Sequence, residues 1–318
     1  MTGDRLFSCP LGSFDTSGYG DGRSTCNATA GFHTLPDGMK LETVVMEPSA
    51  STSSGDKPIL LFIHGSYHGA WCFELFQSYF SKLGYKSVAI SLRGQGKSDK
   101  GDLKIAGTLM SHVRDLDSVI RSLEKPPIVI AHSFGGLLVE AYCSKKSGAR
   151  LAEIAGVCLL SSVPPSGNKD IITRITKKSI WNSFKITWGF ITKSFLKDPK
   201  ACRELFFSES LPEETLLSYQ KKMVENSSTV ALLDVRNLSS ELPIAPLDRS
   251  VFSNGSVNAF VGGGLDDMVV DPPAIQELAE YFSVEPVFWD DVAHDVMLDT
   301  SWATVAESLH SWLKTIEE

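Results

Sequence analysis

The sequence predicts an α/β protein: a mostly parallel central sheet, helices on both faces, and a helical cap inserted late in the chain. Three observations predict it. Short continuous apolar runs alternate with amphipathic helical stretches, the pattern of strands buried on both faces. That rhythm stops near residue 164 and resumes near 256, so about 90 residues interrupt an otherwise regular sheet. A small–x–Ser–x–Gly turn also stands between an apolar strand and a helix.

Taken in order, residues 1–35 read as a flexible leader. The stretch is rich in Gly, Ser and Thr and lacks the apolar centre of a signal peptide. It carries Asp4, Asp15 and Asp21 against Arg5 and Arg23, unlike an acid-poor transit segment. Residues 40–46 read as a strand, and 58–63 (Pro-Ile-Leu-Leu-Phe-Ile) as a buried one. Helical spacing covers 74–83, a strand 86–92, and a helical stripe Val113, Leu116, Val119, Ile120 and Leu123. Pro126-Pro127 stops that helix. Strands follow at 128–131 and 156–162, with a helix at 135–143 between them. After the helical, polar stretch 164–254, strands return at 256–261 and 286–289. A last helix carries Trp302, Val305, Leu309, Trp312 and Ile316 on one face. The expected organisation is a core at 36–163, a cap at 164–254 and the rest of the core at 255–318.

Composition narrows the function. The 318 residues are 42% hydrophobic and 21% charged, ordinary for a folded domain. With 30 Lys+Arg against 38 Asp+Glu the net charge is −8, which argues against nucleic-acid binding. No apolar run reaches 18 residues, so no stable membrane insertion is expected. The six cysteines form no CxxC pair and no zinc spacing, so neither a metal nor another cofactor is implied. Their scatter through apolar runs suits a reducing compartment, the cytoplasm, with a plastid or other organelle as the alternative. No oligomeric state follows from the sequence.

The chemistry gathers at strand ends. In Ala131-His132-Ser133-Phe134-Gly135-Gly136 the tight turn admits only small residues two places either side of the serine, which makes Ser133 the expected nucleophile. An oxyanion needs two converging N–H donors. Phe134 supplies one, and Ser66, in the His64-Gly65-Ser66 loop, the other; His64 itself is expected to hold that loop. A base must be a histidine held by a carboxylate. Of seven histidines, His294 lies just after the last strand, at the same sheet edge as Ser133. The acid belongs on the preceding loop, where Asp266 is preferred and Asp267 is the alternative. Asp291 and Asp295 read as solvated loop carboxylates.

These residues resemble the α/β-hydrolase superfamily over about residues 36–318. Gly84-Tyr85-Lys86 leading to the 91–98 turn (Ser-Leu-Arg-Gly-Gln-Gly-Lys-Ser) is similar to the family's fourth strand and the turn after it. Asp266-Asp267-Met268-Val269 is similar to its acid turn, whose first Asp is the triad member, and His294-Asp295-Val296-Met297-Leu298 to its histidine turn. His64-Gly65-Ser66-Tyr67-His68-Gly69-Ala70-Trp71-Cys72 is similar to the plant methylesterase and hydroxynitrile lyase group, which implies that Tyr67 and His68 line the pocket mouth. The lyases of that group carry Lys after the histidine; Asp295 here counts against cyanohydrin cleavage. Relatives that open epoxides use an Asp nucleophile, so Ser133 argues against that chemistry.

In the cap, Trp181, Phe184, Trp188, Ile191 and Phe195 fall at helical spacing among Lys178, Lys185, Lys193 and Lys197. The preferred reading is a helix roofing the pocket, with Trp181, Phe184 and Trp188 touching an apolar substrate; a basic helix meeting a membrane or lipid is the rival. The expected function is a serine hydrolase that cleaves a small-to-medium apolar carboxylic ester through an acyl-enzyme. A thioesterase, a lipase-like enzyme or a cofactor-free perhydrolase would use the same triad, and a non-catalytic ligand-binding protein could keep the fold.

Overall fold

Residues 28–49, 57–147 and 150–317 are described by a computed structural model. The strands are β1 (Ala28–Thr34), β2 (Lys40–Met46), β3 (Leu60–Ile63), β4 (Ser87–Ile90), β5 (Ile128–His132), β6 (Gly156–Leu160), β7 (Ala259–Gly264) and β8 (Val287–Trp289). They form one sheet in the order β1-β2-β4-β3-β5-β6-β7-β8. The first two strands run antiparallel; from β4 through β3 to β8 every pairing is parallel.

The apolar runs explain the layering. Strand side chains alternate between faces, and Leu60 and Phe62 join one core cluster while Leu61 and Ile63 join the other. Helices α1 (Glu74–Lys82) and α10 (Trp302–Glu317) cover the first face. Helices α2 (Leu109–Arg121), α3 (Phe134–Tyr142) and α9 (Pro272–Phe282) cover the second. Start signals sit where physical chemistry wants them. Thr108 caps α2 by accepting from Ser111 N–H at 3.2 Å, and Pro272-Pro273 open α9. The turn after β4 is pinned by Arg93, whose guanidinium forks onto Asp115 at 2.7 and 2.8 Å.

Between β6 and β7 lie five helices: α4 (Lys169–Lys178), α5 (Ile180–Thr192), α6 (Pro199–Phe206), α7 (Glu213–Glu225) and α8 (Val235–Glu241). The α6–α7 pair packs into the α1/α10 core through Leu205, Phe206, Leu216 and Met223.

One boundary is corrected. Residues 28–34, expected within a flexible leader, form edge strand β1, paired with β2 along its whole length. Its mixed, mostly solvent-facing side chains give no apolar signal; backbone pairing holds it. Residues 1–27 lie outside the described residues.

Candidate active site

Ser133 sits at the bend from β5 into α3. Its φ of 54° and ψ of −121° are strained for a residue with a side chain, and such strain concentrates at functional sites. The neighbours explain why the turn can be made. A side chain at Gly135 would meet the Ile63 and His64 carbonyl oxygens at 2.7 Å, and one at Gly65 would meet Ser133 Cβ at 2.7 Å. Those close approaches bring the loop after β3 against the serine.

His294 follows β8 and closes the geometry. Its Nε2 lies 3.0 Å from Ser133 Oγ and its Nδ1 2.8 Å from Asp267 Oδ2. Asp267 accepts only, so Nδ1 carries the proton and Nε2 accepts from the serine hydroxyl. Asp267 is itself fixed, because its Oδ1 accepts from Val269 and Val270 N–H at 2.7 and 2.9 Å. Burial alone would push the His294 imidazole down. The charge and hydrogen bond of Asp267, with Asp295 behind, outweigh burial and hold it above its ordinary value.

The carboxylate on His294 is therefore Asp267, not the preferred Asp266. The chain keeps bonding past the end of β7: Leu265 N–H donates to Trp289 O, and Asp266 N–H to Val292 O. Asp266 stays exposed, and Asp267 is the first side chain turned inward.

Ser66 lies in the loop beside the serine, half-buried. Phe134 opens α3, so its N–H is one of the first-turn donors with no acceptor inside the helix. His64 is buried and holds the loop as expected. Its Nδ1 donates to Gly65 O at 2.6 Å and its Nε2 accepts from Leu92 N–H at 2.9 Å. Burial pushes it down to about 3, so it stays neutral.

Comparison with known proteins gives the family. The alpha/beta hydrolase family profile matches residues 60–308. The chain belongs to the alpha/beta hydrolase family. This hydrolase is 26% identical over 235 residues to a pFDCC methylesterase of Arabidopsis thaliana, covering 70% of this chain and 86% of that protein. It is 26% identical over 198 residues to epoxide hydrolase 1 of Caenorhabditis elegans, covering 60% of this chain and 42% of that one. An esterase structure from Exiguobacterium antarcticum shares its fold with a TM-score of 0.64 at 17% identity, covering 90% of this chain and 100% of that one.

Around the Ser133–His294–Asp267 line the hydrolase has a second buried His–Asp pair that sequence reasoning missed. His68 was expected at the pocket mouth and Asp295 in solvent; they are 1% and 0% exposed. His68 Nε2 meets Asp295 Oδ2 at 2.8 Å and its Nδ1 meets Ser66 O at 2.9 Å. Both partners are acceptors, so the ring is held at each of its nitrogens. Burial would raise the Asp295 carboxyl, but the charge and hydrogen bond of His68 hold it below the usual range. His132, pushed down to about 3 by burial, donates from Nε2 to His294 O at 2.9 Å. His132, His294 and Asp295 offer metal-ligand atoms within 4.8 Å of one another. Both nitrogens of His294 are already engaged, which leaves too few free ligands for an ion.

The inserted helices are tied to the same loop. Asp299 is fully buried and accepts from Ser208 N–H at 3.0 Å, Ser208 Oγ at 2.6 Å and Ala293 N–H at 2.8 Å. Asp295 N–H donates to Phe206 O at 2.9 Å. Tyr67, expected to line the pocket, reaches α5 instead: its hydroxyl donates to Phe190 O at 3.2 Å and its ring stacks on Phe190 at 5.7 Å.

A cleft of about 1060 Å³ opens between α4–α6 and the turn after β7, lined by Phe184, Trp188, Leu205, Leu265, Asp267 and Met268. Phe184 and Trp188 line this cleft, which meets the Ser133–His294–Asp267 line at Asp267. Trp181 does not: it is 73% exposed near the start of α5, on the same outward face as Phe184 and Trp188. The residues of α5 that face inward are Ile186 and Phe190.

Proposed function

We propose that this chain is a serine esterase. The observation that carries the reading is the hydrogen-bonded line from Ser133 through His294 to Asp267, set on a strained strand-to-helix turn. Ser133 Oγ attacks the ester carbonyl while His294 Nε2 takes its proton. His294 then returns that proton to the leaving alcohol. Asp267 fixes the imidazole tautomer and stabilises the charge it gains. The N–H groups of Phe134 and Ser66 receive the oxyanion; removing one such donor typically costs about 100-fold or more in rate. Water, activated by His294, releases the acid.

The methylesterase relative and the esterase neighbour support an ester as substrate. The relative named for epoxides does not carry over, because the residue at the elbow is a serine. The apolar rim of Phe184, Trp188, Leu265 and Met268 suits an apolar acyl or alcohol group. Free, buried Cys72, Cys143, Cys158 and Cys202 suit the reducing cytoplasm or plastid. No described helix is long and apolar enough to cross a membrane.

Hydrolysis of p-nitrophenyl esters from acetate to palmitate tests the proposal. Turnover should fall about a million-fold in Ser133→Ala. A folded protein that turns over none of these esters, or a Ser133→Ala variant as active as the parent, would sink it.

A further inference from the structure

Helix α5 is apolar on both sides. Its inner face sets Ile186 and Phe190 against the core. Its outer face carries Ile180, Trp181, Phe184, Trp188 and Ile191, exposed by 70, 73, 55, 54 and 71%. At the helical repeat these five fall in one stripe about 100° wide. A helix apolar all round is ordinarily buried, and a contiguous exposed apolar patch marks a surface that meets something. The charge around it is equally uneven. Residues 169–200 hold eight basic side chains against two acidic ones, in a chain of net charge −8. Lys177, Lys178 and Lys197 are exposed, and Lys185 shares Glu204 at 3.4 Å.

We propose that α5 seats this protein on an anionic lipid surface, with the mouth of the cleft towards the bilayer. Thirteen residues make a helix of about 20 Å, suited to lie in the interface plane with its aromatic side chains at headgroup depth. Trp is the residue that favours that depth. The lysines supply the attraction to anionic headgroups, while the acidic remainder of the molecule is repelled, so only one orientation is favoured. The same charge argues against a second copy of this chain as the occupant, because a symmetric contact through α5 would bring two basic clusters together. Phe184 and Trp188 belong both to the stripe and to the rim of the cleft. Across that rim Leu265 and Met268 are 45% and 41% exposed. The docking itself does not depend on the esterase reading; its consequence, access to esters dissolved in the bilayer, rests on it.

Vesicle flotation of the full chain as Ser133→Ala tests the docking without any hydrolysis. The probes are phosphatidylcholine vesicles with and without phosphatidylserine. The protein should float with the phosphatidylserine vesicles, shift its tryptophan emission to the blue, and release as salt rises. Trp181→Asp and Ile191→Asp should abolish flotation, and Lys177→Ala and Lys178→Ala should each lower the partition coefficient about fivefold. In the Ser133-containing chain, Trp181→Asp should leave hydrolysis of a water-soluble acetate ester unchanged. Failure to float with either vesicle, flotation indifferent to Trp181→Asp, or a dimer that Trp181→Asp splits would each overturn the proposal. Flotation by a chain that hydrolyses no ester would remove the substrate assignment and leave the docking surface standing.

Discussion

Two His–Asp pairs stand side by side in this fold, with the same 2.8 Å contact and nearly the same burial, yet they are built for opposite tasks. His294 turns its second nitrogen to the Ser133 hydroxyl, a group that can give up a proton. His68 turns its second nitrogen to the Ser66 carbonyl, a group that can only accept. The first ring can therefore cycle between one proton and two. The second has no partner with a proton to give, and it ties the loop after β3 to the loop after β8. The carboxylate does not decide what a buried histidine does; the third atom does.

The comparison can be broken most sharply at the carboxylates. Asp267→Asn should lower kcat for ester hydrolysis about 10,000-fold with the fold retained, because the amide favours the wrong tautomer. Its neighbour Asp266→Asn should stay within about twofold, since an exposed carboxylate away from the ring has nothing to hold. Equal losses in the two variants would undo the assignment of the acid.

The latch should show in stability. Asp295→Asn breaks a buried His–Asp pair on one side only, so urea unfolding should report a loss of about 3 kcal/mol or more. The double variant His68→Leu/Asp295→Leu should recover part of that loss. A double variant that loses the sum of His68→Leu and Asp295→Leu would mean that the pair is not a unit.

The smallest effect is on pH. The base must be neutral to act, so kcat/KM should rise with pH as His294 sheds its proton. Because Asp267 and Asp295 hold that imidazole above its ordinary value, the rise should be centred above pH 6.5. Removing the Asp295 charge lowers the imidazole, so in Asp295→Asn the midpoint should move to lower pH. A midpoint that moves upward would contradict the stated electrostatics.

The sequence made the sheet and two of the three aligned residues legible because each rests on a local steric rule. Buried parallel strands must be apolar on both faces, and the turn that carries Ser133 tolerates only small neighbours. Asp267 was not legible in the same way. Choosing between adjacent aspartates requires knowing that backbone pairing runs on through Asp266, a fact of register with β8 and the loop beyond. The His68–Asp295 pair joins residues 227 positions apart, and nothing local to either announces the other. Helix α5 carries apolar residues on both sides, so spacing alone could not say whether Trp181 or Phe190 faces the core. Strand β1 has no apolar pattern at all and is visible only once β2 offers it an edge.

Asp299 has a practical consequence. One buried carboxylate holds the backbone of the inserted helices at Ser208 and the backbone beside His294 at Ala293. An engineer seeking a minimal, wide-open scaffold for bulky substrates would think first of splicing out residues between β6 and β7. Here that cut would strip the support from the segment that carries His294. Any widening of the pocket in this protein has to be done by trimming side chains along the rim, with the Ser208–Asp299–Ala293 tie left whole.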